Sequence, residues 1–411
     1  MASENSKRRA FVAITAALSL GLSCAMLEVG LRVRSRVDVD GNVFLGSGRL
    51  YPFHLPIERA RELAQLYEAR GERTYFVYDS DLGWTVRPNG SSDDGLYHAN
   101  ERGVRVGEAR RPTSLRPAAG VYRIALFGDS FTHANDVPFE QTWGHVLGEA
   151  LRERGVRAEV LNLGGSGYAM NQALLRFRKE GRALSPHLVV FGFQRTNVLR
   201  NLNLIRLIYN PDSGLIFANP RFVLEGDALR QINWPAPRPA EIPALLADFP
   251  SWEFAPYEFF YQPEHYRDRS VFAFRSVALV SAWLFADFTH KRKDYDFFAP
   301  RSESRRLARA ILDAFELETE AIGAELLVVN LPTRKPLKRL LRDRELKYQD
   351  LWAEIARDFQ AVDPGPELVA LARREGLDTL FAPVGGHYSG SSNAVIGRAV
   401  AAAVEPLATR R

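Results

Sequence analysis

Residues 122–132 read YRIALFGDSFT, and the fold turns on how this stretch is read. Six mostly apolar residues run into Gly128, Asp129 and Ser130. A short strand that ends on a glycine and then presents a serine exposes a hydroxyl at the carboxyl edge of a sheet. Open α/β sheets keep their chemistry at that edge. Trp143, Val146, Leu147, Ala150 and Leu151 follow at helical spacing, so strand, serine turn and helix lie in order. Taken alone, the same letters also suit a Gly-Asp-Ser turn without chemistry.

Further strand signals lie outward from this unit, at 158–163 (AEVLNL), 187–193 (HLVVFGF) and 324–330 (AELLVVN). Helical patterns follow the first two strands, another covers 305–322, and a last one at 392–404 carries Ile396, Val400 and Val404. Strands alternating with helices predict a parallel sheet covered on both faces. More than 120 residues separate the third and fourth strands, far more than a crossover needs. The segment 199–300 therefore reads as an inserted subdomain. It holds Trp234, Trp252, Phe254, Tyr257, Phe259, Phe260, Tyr261 and Tyr266. Such rings either stack on sugars or build a small core, and the second reading is favoured because aromatics dominate burial.

The 411 residues carry a net charge of +5 and are 46% hydrophobic and 25% charged, which suits a globular protein with ample core. No long Lys/Arg run marks a nucleic-acid track, so no nucleic-acid partner is expected. The single cysteine, Cys24, excludes a disulfide framework or a cysteine metal cluster within the chain. His145, His187, His265 and His290 have no metal-ligand spacing, and neither a metal nor another cofactor is expected.

Residues 10–27 are uncharged and follow Lys7, Arg8 and Arg9. Eighteen helical residues rise about 27 Å, enough to cross a hydrocarbon core with help from the flanks. The positive cluster predicts a cytoplasmic N-terminus and an exported remainder. Three readings stand: an uncleaved anchor, a cleaved signal peptide and a lipoprotein signal ending at Cys24. The anchor is favoured, since Gly21-Leu22-Ser23 lacks the lipoprotein aliphatic residue and no clean cleavage site follows. A cytoplasmic stub and anchor at 1–33 would then precede a polar lead-in at 34–120 and a main domain at 121–411. In the lead-in, 57–70 suggests a charged helix, 75–88 (YFVYDSDLGWTVRP) a turn-rich strand pair, and 89–95 a loop. The segment 271–288 is also apolar, but Arg275 and Asp287 interrupt it, so it reads as a buried or interfacial helix rather than a second span.

Three more motifs follow strands or precede the last helix. Asn162 to Tyr168 (NLGGSGY) is a glycine-dense turn whose amides can face an anion; 192–197 (GFQRTN) supplies the Asn197 amide; 385–389 (GGHYS) supplies the His387 imidazole. A nucleophile, oxyanion donors and a base on carboxyl-end loops are what acyl transfer requires. At this point the sequence resembles the SGNH, or GDSL-type, hydrolase superfamily over roughly 122–404, with an interruption at the insertion. The resemblance implies Ser130 as nucleophile and its amide as one oxyanion donor, Gly167 (or Gly164 in another register) as the second, Asn197 as the third and His387 as base. The third block, normally Gly-Asn-Asp, reads Thr196-Asn197-Val198. YDSDLGWTVRPN and NERGVR in the lead-in are similar to the preamble of membrane-anchored relatives associated with surface polysaccharides.

The resemblance also leads one to expect an aspartate two or three residues before the histidine, where Val384 and Gly385 stand. Either a backbone carbonyl orients His387 or another carboxylate reaches it, Asp378 being the nearest upstream acid. Asp129 is expected to hydrogen-bond the serine turn. His133 is read as a surface residue or a pocket liner, and Arg195 and Arg200 as solvated or as holding an anionic substrate. The expected fold is a flavodoxin-like three-layer α/β sandwich with about five parallel strands. The expected function is a serine esterase or acyltransferase of the periplasmic face of the cytoplasmic membrane. Its expected substrate is a carbohydrate or other acylated compound, with acetyl groups on polysaccharide foremost and polysaccharide-assembly proteins as possible partners. The alternatives are a catalytically degenerate polysaccharide-binding or assembly protein and a lipolytic enzyme.

Overall fold

A computed structural model describes residues 2–410 except 47, 227 and 286–294, so the end of the 271–288 segment lies outside the described residues. Its sheet is built from strands β1 (His98–Ala99), β2 (Arg105–Val106), β3 (Tyr122–Gly128), β4 (Ala158–Asn162), β5 (Leu188–Phe193), β6 (Glu325–Asn330) and β7 (Ala361–Val362). The order is β7-β6-β5-β3-β4-β2-β1. The five strands β7, β6, β5, β3 and β4 are mutually parallel, whereas β2 and β1 add antiparallel. The lead-in thus adds two antiparallel strands to the five parallel ones, which makes seven in all. Among the parallel strands the sequence runs 2-1-3-4-5, and the order reverses between β3 and β5. Ligands of open α/β sheets bind at that switch point, beyond the carboxyl ends of the strands.

Burial explains the strand sequences. Every residue of β3 and β5 is buried, as expected of strands covered on both faces. One face carries Ile124, Leu126 and Val190 against Trp143 and Leu147 of α2 (Trp143–Glu153) and Ile396 and Val400 of α6 (Gly390–Ala408). The other carries Ala125, Phe127 and Phe191 against Ile311 and Phe315 of α5 (Glu303–Glu320). Thr142 and Ser302 cap α2 and α5 by accepting from His145 N and Arg305 N.

The lead-in is part of this architecture. Trp84 donates from Nε1 to Ser166 O at 2.9 Å, and the Tyr168 hydroxyl returns to Trp84 O at 2.7 Å. The strand pair around Trp84 therefore props the NLGGSG turn. In the 199–300 segment, Phe249, Phe260 and Phe297 merge with the core of the sheet face instead of forming a core of their own. Phe249 meets Tyr261 at 4.8 Å and Phe259 meets Phe297 at 5.2 Å between ring centroids.

Helix α1 (Ala2–Arg34) holds an 18-residue window of mean hydropathy 2.1, none of it buried in the protein, and is long and apolar enough to span a membrane. Its far end meets α4 (Arg275–Phe285). The Glu28 carboxylate accepts from the amides of Arg275 (2.8 Å) and Ser276 (3.0 Å), and Arg32 donates to Ala273 O at 2.7 Å.

The serine turn has little room. Gly128 has φ +151°, and a Cβ there would lie 2.2 Å from Thr132 Oγ1 and 3.0 Å from Gly192 O. Gly128→Ala should therefore lower the guanidinium unfolding midpoint by the equivalent of about 1–3 kcal/mol, the usual cost of overpacking. An unchanged midpoint would show that the turn has slack.

Candidate active site

Asp129 starts the turn by accepting from Phe131 N at 2.9 Å, which points Ser130 out of the strand into a short helical turn. Asn162 ties this turn to the next loop. Its Nδ2 donates to Thr132 O at 2.8 Å, and its Oδ1 accepts from Gly164 N at 3.0 Å. From the last loop, Tyr388 pairs with Phe381, and its hydroxyl donates to Pro332 O at 2.9 Å, which anchors His387 next door. The ring of Phe131 packs on the His387 imidazole, with centroids 4.8 Å apart.

Three side chains form a continuous chain of hydrogen bonds. Ser130 Oγ lies 2.8 Å from His387 Nε2, and His387 Nδ1 lies 2.7 Å from Asp136 Oδ2. An ionised carboxylate only accepts, so Asp136 fixes the proton on Nδ1 and leaves Nε2 bare to accept the serine proton. Asp136 also accepts from His387 N at 3.2 Å. Burial pulls the Asp136 carboxyl up, but the hydrogen bonds and charge of His387, with Arg105 behind them, outweigh it and hold the group below the usual range. The stability this contributes is present above the ordinary carboxylate range and lost as pH falls through the lowered value.

Asp136 is therefore the carboxylate on His387, and Asp378 is not. Asp378 is 92% exposed and pairs with Arg334 on the surface. Gly385 accounts for the exchange: at φ +83°, its Cβ would sit 2.1 Å from Asp136 Oδ2. A side chain at Gly385, one of the two expected aspartate positions, and a carboxylate arriving from Asp136 exclude each other. Nor does Asp129 reach His387; its second oxygen accepts from Arg200 at 3.1 Å.

The loop that carries Asp136 is held from the lead-in. Ala134 and Asp136 both have positive φ, an unfavourable conformation for residues with side chains. Arg105, the last residue of NERGVR, donates to the carbonyls of His133 and Ala134, and to Val137 O at 2.6 Å. Its guanidinium lies 4.8 Å over the Tyr97 ring, and the Tyr97 hydroxyl accepts from Asp136 N at 2.9 Å. His133 is neither at the surface nor facing the serine. It is fully buried, bonded to the Tyr75 hydroxyl at 2.9 Å and Asn135 Oδ1 at 2.7 Å, and held neutral by burial and by Arg105.

Asn197, on the short helix α3 (Arg195–Arg200) after β5, is fully buried. Its Oδ1 accepts from Arg200 at 3.2 Å, while its Nδ2 has no partner. A buried orphan donor is costly, and a negative charge that forms only during a reaction is one group that would answer it. The two glycine registers separate on the same ground. The Gly164 amide is engaged by Asn162, whereas among the described residues the amides of Ser130 and Gly167 have no acceptor. Gly167 adopts φ +80°. Such donors are typically worth about 2.7–4 kcal/mol each in acyl transfer.

No family model matches the sequence, and no curated protein does. Among solved structures the chain is similar to a member of the lipolytic protein G-D-S-L family from Veillonella parvula, with 12% identity, TM-score 0.33, and coverage of 71% of this chain and 100% of that one. It is also similar to Axe2, an acetylxylan esterase from Geobacillus stearothermophilus, with 13% identity, TM-score 0.36, and coverage of 69% and 94%. A lipase/acylhydrolase from Enterococcus faecalis shares 14% identity at TM-score 0.33, with coverage of 70% and 96%.

Replacing Asp136 by Asn lets the new amide donate to Nδ1 and forces the proton onto Nε2, the wrong tautomer. Asp136→Asn should cut kcat on an activated ester by about 10⁴, the loss seen for the equivalent change in serine proteases. Asp378→Asn should leave it within about twofold. Equal losses in the two variants would remove Asp136 from the chemistry.

Proposed function

We propose that this chain is a membrane-anchored serine esterase or acyltransferase of SGNH type. It acts on small ester-linked acyl groups, acetyl foremost, of a polysaccharide outside the cytoplasm. The observation that carries the reading is the Ser130–His387–Asp136 chain of hydrogen bonds, with the free Asn197 amide nearby. Ser130 Oγ attacks the ester carbonyl while His387 Nε2 takes its proton. The amides of Ser130 and Gly167 and the side chain of Asn197 receive the oxyanion. Collapse breaks the bond to the sugar oxygen, which leaves with the proton held by His387, and the acyl group stays on Ser130. Water or a second hydroxyl, deprotonated by His387, then attacks the acyl-serine and restores the enzyme. The two acceptors separate hydrolase from transferase.

A non-catalytic binding protein draws support from the absent aspartate before His387 and from the aromatic insertion. Against it, Asp136 reaches His387 from another loop, and Phe249, Phe260 and Phe297 of the insertion are core residues. The polysaccharide assignment rests on the resemblance of the lead-in to anchored relatives, and the location on the apolar run of α1 with Lys7, Arg8 and Arg9 just before that run. Helix α4 suits a place at the bilayer surface. It is tied to the end of α1, and it leaves Val280, Trp283 and Leu284 about half exposed, at 53%, 57% and 49%.

Two measurements test this reading. Protein from residue 34 onward should release acetate from an aryl acetate, and Ser130→Ala should abolish the release; equal rates would refute a serine mechanism. Reporter fusions after Asn210 and after Arg411 should both report an extracytoplasmic location. A cytoplasmic signal at the C-terminus alone would put Ser130 and His387 in different compartments and end the enzymatic reading.

A further inference from the structure

Three arginines surround the oxyanion donors, and the serine chemistry accounts for one. Arg200 Nη1 bridges Asp129 Oδ2 (3.1 Å), Asn197 Oδ1 (3.2 Å) and Tyr168 O (3.2 Å). Its charge is answered by Asp129, and by holding Asn197 Oδ1 it leaves Nδ2 as the unbonded end of that amide. Arg206 and Arg195 have no such explanation, since neither forms a salt bridge among the described residues.

Arg206 opens the short helix Arg206–Tyr209 and is 8% exposed. Its guanidinium lies against Gly167, where a Cβ would be 3.3 Å from Cζ, so it stands immediately behind a proposed oxyanion donor. Its contacts are long: Nε to Ser213 Oγ at 3.3 Å and Nη1 to Gly167 O at 3.4 Å. Among the described residues, Nη2 has no acceptor. Burial, followed by the like charge of Arg200, pushes Arg206 down to about 10, so it remains cationic at neutral pH. Arg195 lies two residues before Asn197. Its Nε is buried without a partner, on the same short helix as Asn197. Tyr209 lies under Arg206, 5.5 Å from Cζ to the ring centroid, so Arg206 stands beside Gly167 and Arg195 beside Asn197 in the chain, one at each of two proposed oxyanion donors.

A buried guanidinium with no carboxylate is expensive to keep. Beside a catalytic centre, its planar fork is the donor set that best matches a carboxylate. We propose that Arg206 and Arg195 form an anion subsite next to the oxyanion hole, which receives a carboxylate carried by the alcohol part of the ester. The inference rests on the esterase reading and narrows it: the substrate is an acylated uronic acid residue rather than an acylated neutral sugar.

Binding tests the subsite without turnover. Full-length Ser130→Ala protein is titrated by calorimetry with an O-acetylated oligouronate and with the same compound after methyl esterification of its carboxylates. The acid should bind at least tenfold more tightly. Adding Arg206→Gln and Arg195→Gln should bring the two affinities within about twofold of each other, and Arg206→Lys should keep part of the preference. Equal binding of acid and methyl ester, or a preference that survives both replacements, would overturn the subsite. Turnover of an aryl acetate by the parent protein reports separately on the esterase. Ser130-dependent turnover without discrimination at the acid sinks the subsite alone, whereas acid-selective binding without turnover keeps the subsite and sinks the esterase.

Discussion

A 2.7 Å hydrogen bond between Asp136 and His387 spans 251 positions of sequence, and the geometry of the site follows from it. It sets the imidazole tautomer, aims Nε2 at Ser130, and joins the loop after the serine turn to the loop before the last helix. The bond forms only if Asp136 is presented from a backbone with positive φ at Ala134 and Asp136. A conformation of this kind persists only where surrounding structure over-determines it. Arg105 supplies that constraint by gathering three carbonyls of the loop, while Tyr97 takes the Asp136 amide. Burial holds Arg105 down to about 10, still charged in the neutral range.

This arrangement assigns a task to the lead-in. Strand β2 brings Arg105 to the serine loop, Trp84 braces the glycine turn, and Arg176 ties Gly103 O to Leu163 O through bonds of 2.9 Å each. Residues that sequence alone places before the catalytic unit thus hold two of its loops. The sheet and the lead-in act together, and the phrase NERGVR matters for the arginine at its end.

Much of the fold was legible because parallel strands buried on both faces read as apolar runs, and 122–128 and 188–193 are of that kind. The short strands at 98–99, 105–106 and 361–362 carry no such run, since two residues cannot display a period. In the site, Ser130, Gly167, Asn197 and His387 stand at motif positions. Asp136 does not, because its role depends on a turn conformation and a distant arginine. The signal that could have found it is the glycine at 385, which leaves a space where the resemblance leads one to expect a carboxylate. His133 was unreadable for a related reason: its burial comes from Tyr75 and Tyr97 of the lead-in, which meet its ring at 5.7 and 5.1 Å.

The central claim is that Asp136 and His387 together make Ser130 nucleophilic. Its most direct test is covalent labelling with a fluorophosphonate, followed by mass spectrometry of the modified peptide. A single adduct on Ser130 is predicted, with a labelling rate that collapses in His387→Ala and falls steeply in Asp136→Asn. Labelling at Ser130 that is indifferent to both changes, or no labelling of the folded protein at all, would contradict the account.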